Sequence, residues 1–442
     1  MGTKPEAQRT RREPPNARTI AARVLERVER DGAYAAAALD TEIERHPQLD
    51  LRDRALATEI VYGVQRTRRA LVSRLEQHAP RGLPKDTVVV AHLLVAAYQL
   101  CFLDRVPGHA AVDAAVSAIK ASRSPKMGGF ANAVLRKLAG SGERPGREAA
   151  IVESVAPWLL EALKASVGDA EALALIGADP AASFAEARTS VRVARDHALP
   201  EWLRTAEPGK ASPLARLVPR AGDLRRREGY AEGAFTLEEE GAQVVALALG
   251  ARAGDRVLDA CAGRGQKTTL LREQVGSDAE LWAADLYPEK LAAQAREFER
   301  LGLVPARTSA VDLTVGAGAL PEGFDRVLVD APCTGTGTLR RRPEIALRLR
   351  PEDPERLART ATAILRSAAS RARPGGRVVF AVCSVLGAEA ERVLERVSDL
   401  LEPVPFDAPE LAALVSPGET TLRLSPLRHG TDGFFIGSLR RR

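Results

Sequence analysis

The sequence predicts an α/β protein in which an all-helical bundle precedes a doubly wound parallel sheet. Three observations carry that prediction. In the second half, short apolar runs that close on acids alternate with helical patterns, which argues a parallel sheet. In the first 140 residues apolar side chains recur at helical spacing and strand patterns are absent. With 442 residues the chain also exceeds one ordinary core, so two or three domains are expected.

Residues 1–16 are rich in Pro, Arg and Thr without apolar periodicity, and read as a disordered, mildly basic arm. From residue 17 the pattern is helical. Ile20, Val24, Leu25 and Val28 share one face, and residues 55–75, 88–103, 110–122 and 130–138 follow as further helices, the second of these almost wholly apolar. Taken singly, His109 and Asn132 read as caps or turns. As a set, the segments around His109 and Asn132-Ala-Val-Leu-Arg136 resemble the helical domain of NusB. That resemblance implies an RNA-binding domain over residues 17–140 and makes Arg66, Arg68, Arg69 and Arg136 candidate phosphate contacts. A scaffold role stays open. Residues 141–146 read as a linker by their Gly and Pro density, and residues 149–246 as a small connecting α/β module, with Trp158 and Trp202 on helical patterns and a β-like run over 189–193.

Residues 247–442 carry the strand and helix alternation. Residues 256–259, 281–285, 310–312, 327–330 and 376–383 read as five successive strands or strand ends, and 430–436 as part of a closing hairpin. Ligands bind such sheets beyond the carboxyl ends of the strands. The glycine loop after the first strand lacks the third small residue of a dinucleotide site, because Thr268 stands there, and it lacks the spacing of a P-loop. What remains is the Asp-x-x-x-Gly-x-Gly pattern of S-adenosylmethionine enzymes, with Asp259, Gly263 and Gly265. Asp285 is placed for ribose hydroxyls and Asp312 for the adenine amino group. Each acid alone could be a helix cap.

Cys333 and Cys383 end neighbouring strands in the usual topology of this fold. A lone cysteine is commonly a small buried hydrophobe, but two at such positions suit one reaction. Carbon 5 of cytosine is a poor nucleophile until a thiolate adds at carbon 6, and an acid such as Asp330 near ring N3 stabilises the addition. A second thiol could help reverse the adduct. Arg340, Arg341 and Arg342, just after the first thiol, read either as a solvated charge run or as phosphate contacts, and the target base is expected to unstack into the pocket.

From about residue 19 onward the chain resembles the bacterial, NusB-domain-bearing members of the RsmB/Nop2/Sun family of RNA cytosine-5 methyltransferases. The matching motifs are Asp330-Ala-Pro-Cys333, Cys383-Ser384 and Asp432-Gly-Phe-Phe435. The resemblance implies a Rossmann-like class I S-adenosylmethionine methyltransferase domain, with Cys383 as nucleophile and Cys333 assisting release. It implies cofactor contacts from Cys261, Ala262, Gly263, Arg264, Gly265, Gln266, Lys267, Asp285, Asp312 and Asp330, and small-subunit ribosomal RNA as substrate. The chain departs from the family at Gly263-Arg264-Gly265-Gln266, where the usual loop reads Ala-Pro-Gly-Gly. It departs again at Glu238 and Glu239 for a Gln-Asp pair, at Ala361 for a Gln and at Val382 for a Thr.

Composition bounds the partners. A net charge of +6 and a pI of about 9.3 permit a polyanion. No apolar run reaches membrane-spanning length, and Met1-Gly-Thr-Lys-Pro-Glu6 lacks the apolar centre expected of a signal peptide. Four isolated cysteines, without Cys-x-x-Cys pairs or His at ligand spacing, predict no metal site and a reducing, cytoplasmic setting. The chain is expected to act as a monomer. The competing readings are a noncatalytic RNA-binding or ribosome-assembly protein that keeps the fold, and a methyltransferase acting on DNA or protein.

Overall fold

The computed structural model describes residues 16–142, 144–179, 188–195, 197–219 and 223–442. The expected basic arm lies outside them except for Asn16. The chain divides into two compact units, before and after the Ser154–Val155 bond.

The first unit is helical: α1 (Ala17–Asp31), α2 (Ala35–Arg45), α3 (Leu51–Gln77), α4 (Thr87–Phe102), α5 (Gly108–Ser122), α6 (Pro125–Ser141) and α7 (Arg147–Ser154). Asn16 starts α1 by accepting from the backbone N–H groups of Arg18 and Thr19, and Gly32 stops it in the left-handed conformation. The apolar α4 packs against α1, α3, α5 and α6. Gly63 of α3 leaves room for the Tyr98 ring, which stands where a Cβ would be. Four residues on, α3 kinks at Thr67, whose hydroxyl donates to the Gly63 carbonyl (2.8 Å). Helix α7 buries Ala150 and Ile151, and the Ala70 N–H donates to the Ser154 hydroxyl (3.2 Å). The helical unit therefore runs to Ser154, and the Gly- and Pro-rich stretch after residue 140 joins two helices of one unit.

The second unit begins with α8 (Pro157–Val167) and α9 (Asp169–Ile176), then a small antiparallel sheet, in the order β2-β3-β1-β4. Its strands are β1 (Thr189–Val193), β2 (Glu207–Pro208), β3 (Ala215–Val218) and β4 (Phe235–Thr236), with the short helix α10 (Glu201–Arg204) between β1 and β2. Val191, Leu203, Val218 and Phe235 form its core, with Trp202 edge-on to Phe235 (5.4 Å). Buried Arg192 of β1 donates to Glu238 (2.7 Å), Glu273 (2.7 Å) and Thr269 (2.9 Å), which ties the module to the helix that follows the glycine loop.

The large sheet has eight strands: β5 (Val257–Asp259), β6 (Leu281–Asp285), β7 (Arg307–Ala310), β8 (Phe324–Asp330), β9 (Ala372–Val382), β10 (Leu401–Pro403), β11 (Thr421–Leu424) and β12 (Phe434–Arg441). Their order is β10-β12-β9-β8-β5-β6-β7, with β11 also on β12. Strands β5 to β9 pair in parallel, and β12 closes the sheet antiparallel to β9. Helices α11 (Glu240–Ala248) and α12 (Gln266–Val275) cover one face, and α15 (Asp353–Ala369) the other. Also present are α13 (Pro288–Arg300), α14 (Glu344–Arg348), α16 (Glu391–Glu395) and α17 (Pro426–His429). Val327 and Val329 pack with the α15 core while Leu328 packs with α11 and α12. Burial on both faces explains why this strand reads as a continuous apolar run, each residue contributing about 2 kcal/mol. The sheet order reverses around β5, so the carboxyl ends of β5, β6 and β8 surround the position where such folds bind ligands.

Candidate active site

Asp330 is the last residue of β8 and Cys333 lies three residues on, while Cys383 immediately follows β9. Because β8 and β9 are parallel neighbours in register, Asp330 opposite Ala381, the two loops leave the sheet side by side. The Cys333 and Cys383 sulfurs stand 3.5 Å apart, both free and partly buried. The hydrogen bond shared with Cys383, then burial and the nearby Glu389 charge, push the Cys333 thiol well above its ordinary value, so it keeps its proton.

Backbone contacts lock these loops. The Gly337 N–H donates to the Cys383 carbonyl (2.9 Å) and the Gly433 N–H to the Gly337 carbonyl (2.9 Å). A Cβ on Gly337 would stand 1.9 Å from the Gly433 oxygen, so only glycine fits. The terminal Asp432-Gly433 motif is thereby joined to the thiol loops. Sequence reasoning missed one participant, Glu389, whose buried carboxylate accepts from Thr334 and Ser384, the residues after each cysteine. No local pattern marks it, since its partners lie 55 and 5 residues away.

Asp330 pairs with Lys267 at 2.7 Å. Burial works to lower the Lys267 ammonium, but the charge and hydrogen bond of Asp330, with help from Glu238 and Asp259, hold it above its usual range. The pair thus holds a proton on its lysine side. Asp259, beneath it, is pushed up to about 6 by burial, against the hydrogen bond from the Thr268 hydroxyl (2.7 Å). Cys261 is held well above its ordinary value by burial and then by the charges of Asp330, Asp259 and Asp285, which favours its protonated form.

The glycine loop joins β5 to α12. Gly263 and Gly265 are left-handed (φ 55° and 86°). A Cβ on Gly265 would strike Gln294 at 2.7 Å, whereas one on Gly263 would meet nothing within 4 Å. Ala262 is buried, Arg264 and Gln266 are exposed, and the Gln266 amide donates to the Leu237 carbonyl (2.9 Å). Asp285 accepts from the Gly263 N–H (2.9 Å) and the Tyr287 N–H (2.9 Å), with Lys290 at 3.6 Å. Contrary to the reading of the sequence, Asp312 does not close a strand. Strand β7 stops at Ala310, and one Asp312 oxygen accepts from the Thr314 hydroxyl (2.6 Å) and N–H (2.9 Å), which lower its carboxyl below the ordinary value.

The arginines divide. Arg341 is drawn into a cluster with Glu239 (3.2 Å) and Asp432 (3.0 Å). Glu239 itself is pushed to about 7, by burial and then by Asp432, against the pull of Arg341. Arg340 donates to the Gly430 carbonyl (3.1 Å) and burial lowers it. Arg342 is exposed. In the helical unit Arg66, expected at a phosphate, is buried inside the bundle against the Tyr62 ring (5.8 Å), and burial and then Arg147 lower it to about 10. Arg68 pairs with Glu29 (2.9 Å). Arg69 is exposed, as is Arg136, which donates to Asn132 (3.0 Å). Among the described residues no helix is long and apolar enough to cross a membrane, and no group of three or more His, Cys, Asp or Glu side chains could hold a metal.

Residues 246–440 match the family described as 16S rRNA methyltransferase RsmB/F, and residues 15–140 match the NusB family. The chain is 35% identical to the ribosomal RNA small subunit methyltransferase B of Thermus thermophilus, over 96% of this chain and 97% of that protein. It is 31% identical to a Synechocystis protein named probable ribosomal RNA small subunit methyltransferase B, over 96% and 99% of the two. A solved structure named PH0851 shares the fold, with a TM-score of 0.82 over 96% of this chain and 99% of that one at 22% identity. Similarity of this extent, spanning the helical unit, the connecting module and the thiol-bearing sheet alike, means that the chain belongs to the 16S rRNA methyltransferase RsmB/F family.

Proposed function

We propose that this protein methylates carbon 5 of a cytosine in RNA through a covalent cysteine adduct. S-adenosylmethionine is the cofactor in this reading, and small-subunit ribosomal RNA, for which its relatives are named, is the substrate class. The observation that carries it is the pair of free thiols 3.5 Å apart at the ends of adjacent parallel strands. Methylation of an amine or hydroxyl needs neither.

The residues present fit the cofactor. Gly263 has open space where a side chain would stand, and each Asp285 oxygen that takes a backbone N–H keeps a lone pair for a ribose hydroxyl. Asp312 has its second oxygen for the adenine amino group. When bound, S-adenosylmethionine supplies an electrophilic methyl group.

Cys383 gives up its proton to solvent and its sulfur bonds to carbon 6. The displaced electron pair moves through carbons 5 and 4 to N3, which takes a proton from the Lys267–Asp330 pair, and carbon 5 becomes nucleophilic. After methylation carbon 5 loses its proton to solvent, the carbon 5–carbon 6 double bond re-forms and the Cys383 sulfur leaves. N3 returns its proton. Cys333, protonated at rest, gives its proton to the departing Cys383 sulfur and takes one back from solvent.

Methyl transfer from labelled cofactor to RNA tests the scheme. Cys383→Ala should lower it by ~10³-fold or more while calorimetric cofactor binding persists. Cys333→Ala should accumulate a protein–RNA band that survives denaturation. Full activity of Cys383→Ala overturns the assignment, and failure of the wild-type protein to take up cofactor favours the noncatalytic reading.

A further inference from the structure

The Glu389 carboxylate is fully buried, and the scheme above gives it no part. One oxygen accepts the Thr334 N–H (2.7 Å). The other accepts the Thr334 hydroxyl (2.5 Å) and the Ser384 hydroxyl (2.6 Å). Thr334 is the residue after Cys333, and Ser384 the residue after Cys383. A single side chain is thus bonded to the covalent neighbour of each thiol. The Ser384 hydroxyl cannot easily turn elsewhere, because it also meets Thr336 (2.9 Å) and accepts the Leu386 N–H (3.2 Å).

A buried carboxylate is costly unless donors meet it, and an apolar residue would fill the same space at less cost. Its charge also hinders ionisation of the neighbouring Cys333 thiol. A group that is costly to bury and unhelpful to a thiolate needs another reason to stand there. Its geometry supplies one, since two oxygens on one rigid plane can accept from both loops at once. Strand pairing stops here, β8 at Asp330 and β9 at Val382, and Glu389 adds a side-chain tie to the backbone bond from the Gly337 N–H to the Cys383 carbonyl (2.9 Å).

We infer that Glu389 is a positioning residue that sets the spacing of Cys333 and Cys383, and through it the release of the methylated base. The spacing part stands on the geometry alone. The release part rests on the proposed reaction.

A trivalent arsenical, phenylarsine oxide, separates the two, because it is held tightly only by two thiols close together and needs neither RNA nor cofactor. Its capture rate is measured on the full chain, with Cys333→Ala as the single-thiol baseline. Glu389→Ala should slow capture at least about tenfold, the worth of one charge-assisted hydrogen bond. Glu389→Gln, which keeps one acceptor and the shape, should recover part of that loss. In the methylation assay Glu389→Ala should accumulate the denaturation-resistant RNA adduct, with cofactor affinity unchanged. Capture at the wild-type rate overturns the inference, whatever the activity. If capture slows but no adduct forms in either Glu389→Ala or Cys333→Ala, the spacing role holds and the reaction scheme fails. Should Glu389→Ala not fold, Ser384→Ala and Thr334→Val each remove one hydroxyl from the same carboxylate, and wild-type capture in both also overturns it.

Discussion

The ends of β8 and β9 and the ends of β5 and β6 are built on opposite plans. At the thiol end polar groups are used up on one another. Glu389 is bonded to Thr334 and Ser384, Gly337 to Cys383 and Gly433, and Arg341 to Glu239 and Asp432. At the glycine-loop end there is room: Gly263 faces open space, Arg264 is exposed, and the carboxylate oxygens of Asp285 retain lone pairs. The difference teaches where precision is needed. In the proposed reaction one sulfur must bond to a ring carbon while the other reaches that sulfur, and a site 1 Å too loose loses most of its rate. A cofactor that arrives whole needs a shaped space and a few well-aimed acceptors.

Two glycine substitutions are the sharpest way to break this comparison. Gly337→Ala puts a methyl group into the Gly433 backbone, and neither strand end can yield without moving Cys383. The expected cost is ~3 kcal/mol or more of stability, read as a lowered denaturant midpoint, together with loss of methyl transfer. Gly263→Ala meets no atom and pays only for its left-handed backbone, about 1 kcal/mol. Equal losses at both positions would mean that the two ends are equally tight.

What could be read from the sequence follows the same division. The convergence of Cys333 and Cys383 was legible because parallel strands in this fold order end side by side, so two short motifs fix two sulfurs. Most helices of the first unit were legible from apolar spacing, although α2 and α7 were not, being short and rich in alanine or charge. The fates of the arginines were hidden. Arg341 finds its carboxylates 102 residues upstream at Glu239 and again at Asp432 near the chain end, and Arg66 turns inward at a helix kink that depends on Thr67 and Gly63. Asp312 looked like a strand end because its strand is short and exposed, and nothing apolar marks where β7 stops. Long-range pairing of polar side chains leaves no periodic trace.

Asp285 and Asp312 sharpen the cofactor side, with an intermediate effect. Asp285→Asn keeps one acceptor for the backbone but removes the charge that two ribose hydroxyls would share, so calorimetric cofactor affinity should fall about 10- to 100-fold. Asp312→Asn should weaken it less, by about threefold to tenfold, because one of its oxygens is already engaged by Thr314 and lies outside any strand. A reversal of that ranking would place the adenine, not the ribose, at the better-held acid.

The smallest effects belong to the helical unit, where the proposal is contact with RNA phosphates. Arg69 and Arg136 are exposed, and each alanine variant should weaken RNA binding only about twofold to threefold at moderate salt, while lowering the salt slope of affinity by about one. Arg66→Ala should leave that slope unchanged, since its guanidinium lies inside the bundle beside Tyr62, and should instead lower the melting temperature through lost packing. The slope is the deciding quantity, because a merely unfolded variant loses affinity at every salt concentration alike. A reduced slope in Arg66→Ala, with unchanged slopes in the other two, would mean that the bundle opens when RNA binds and that the phosphate track runs along the kinked side of α3.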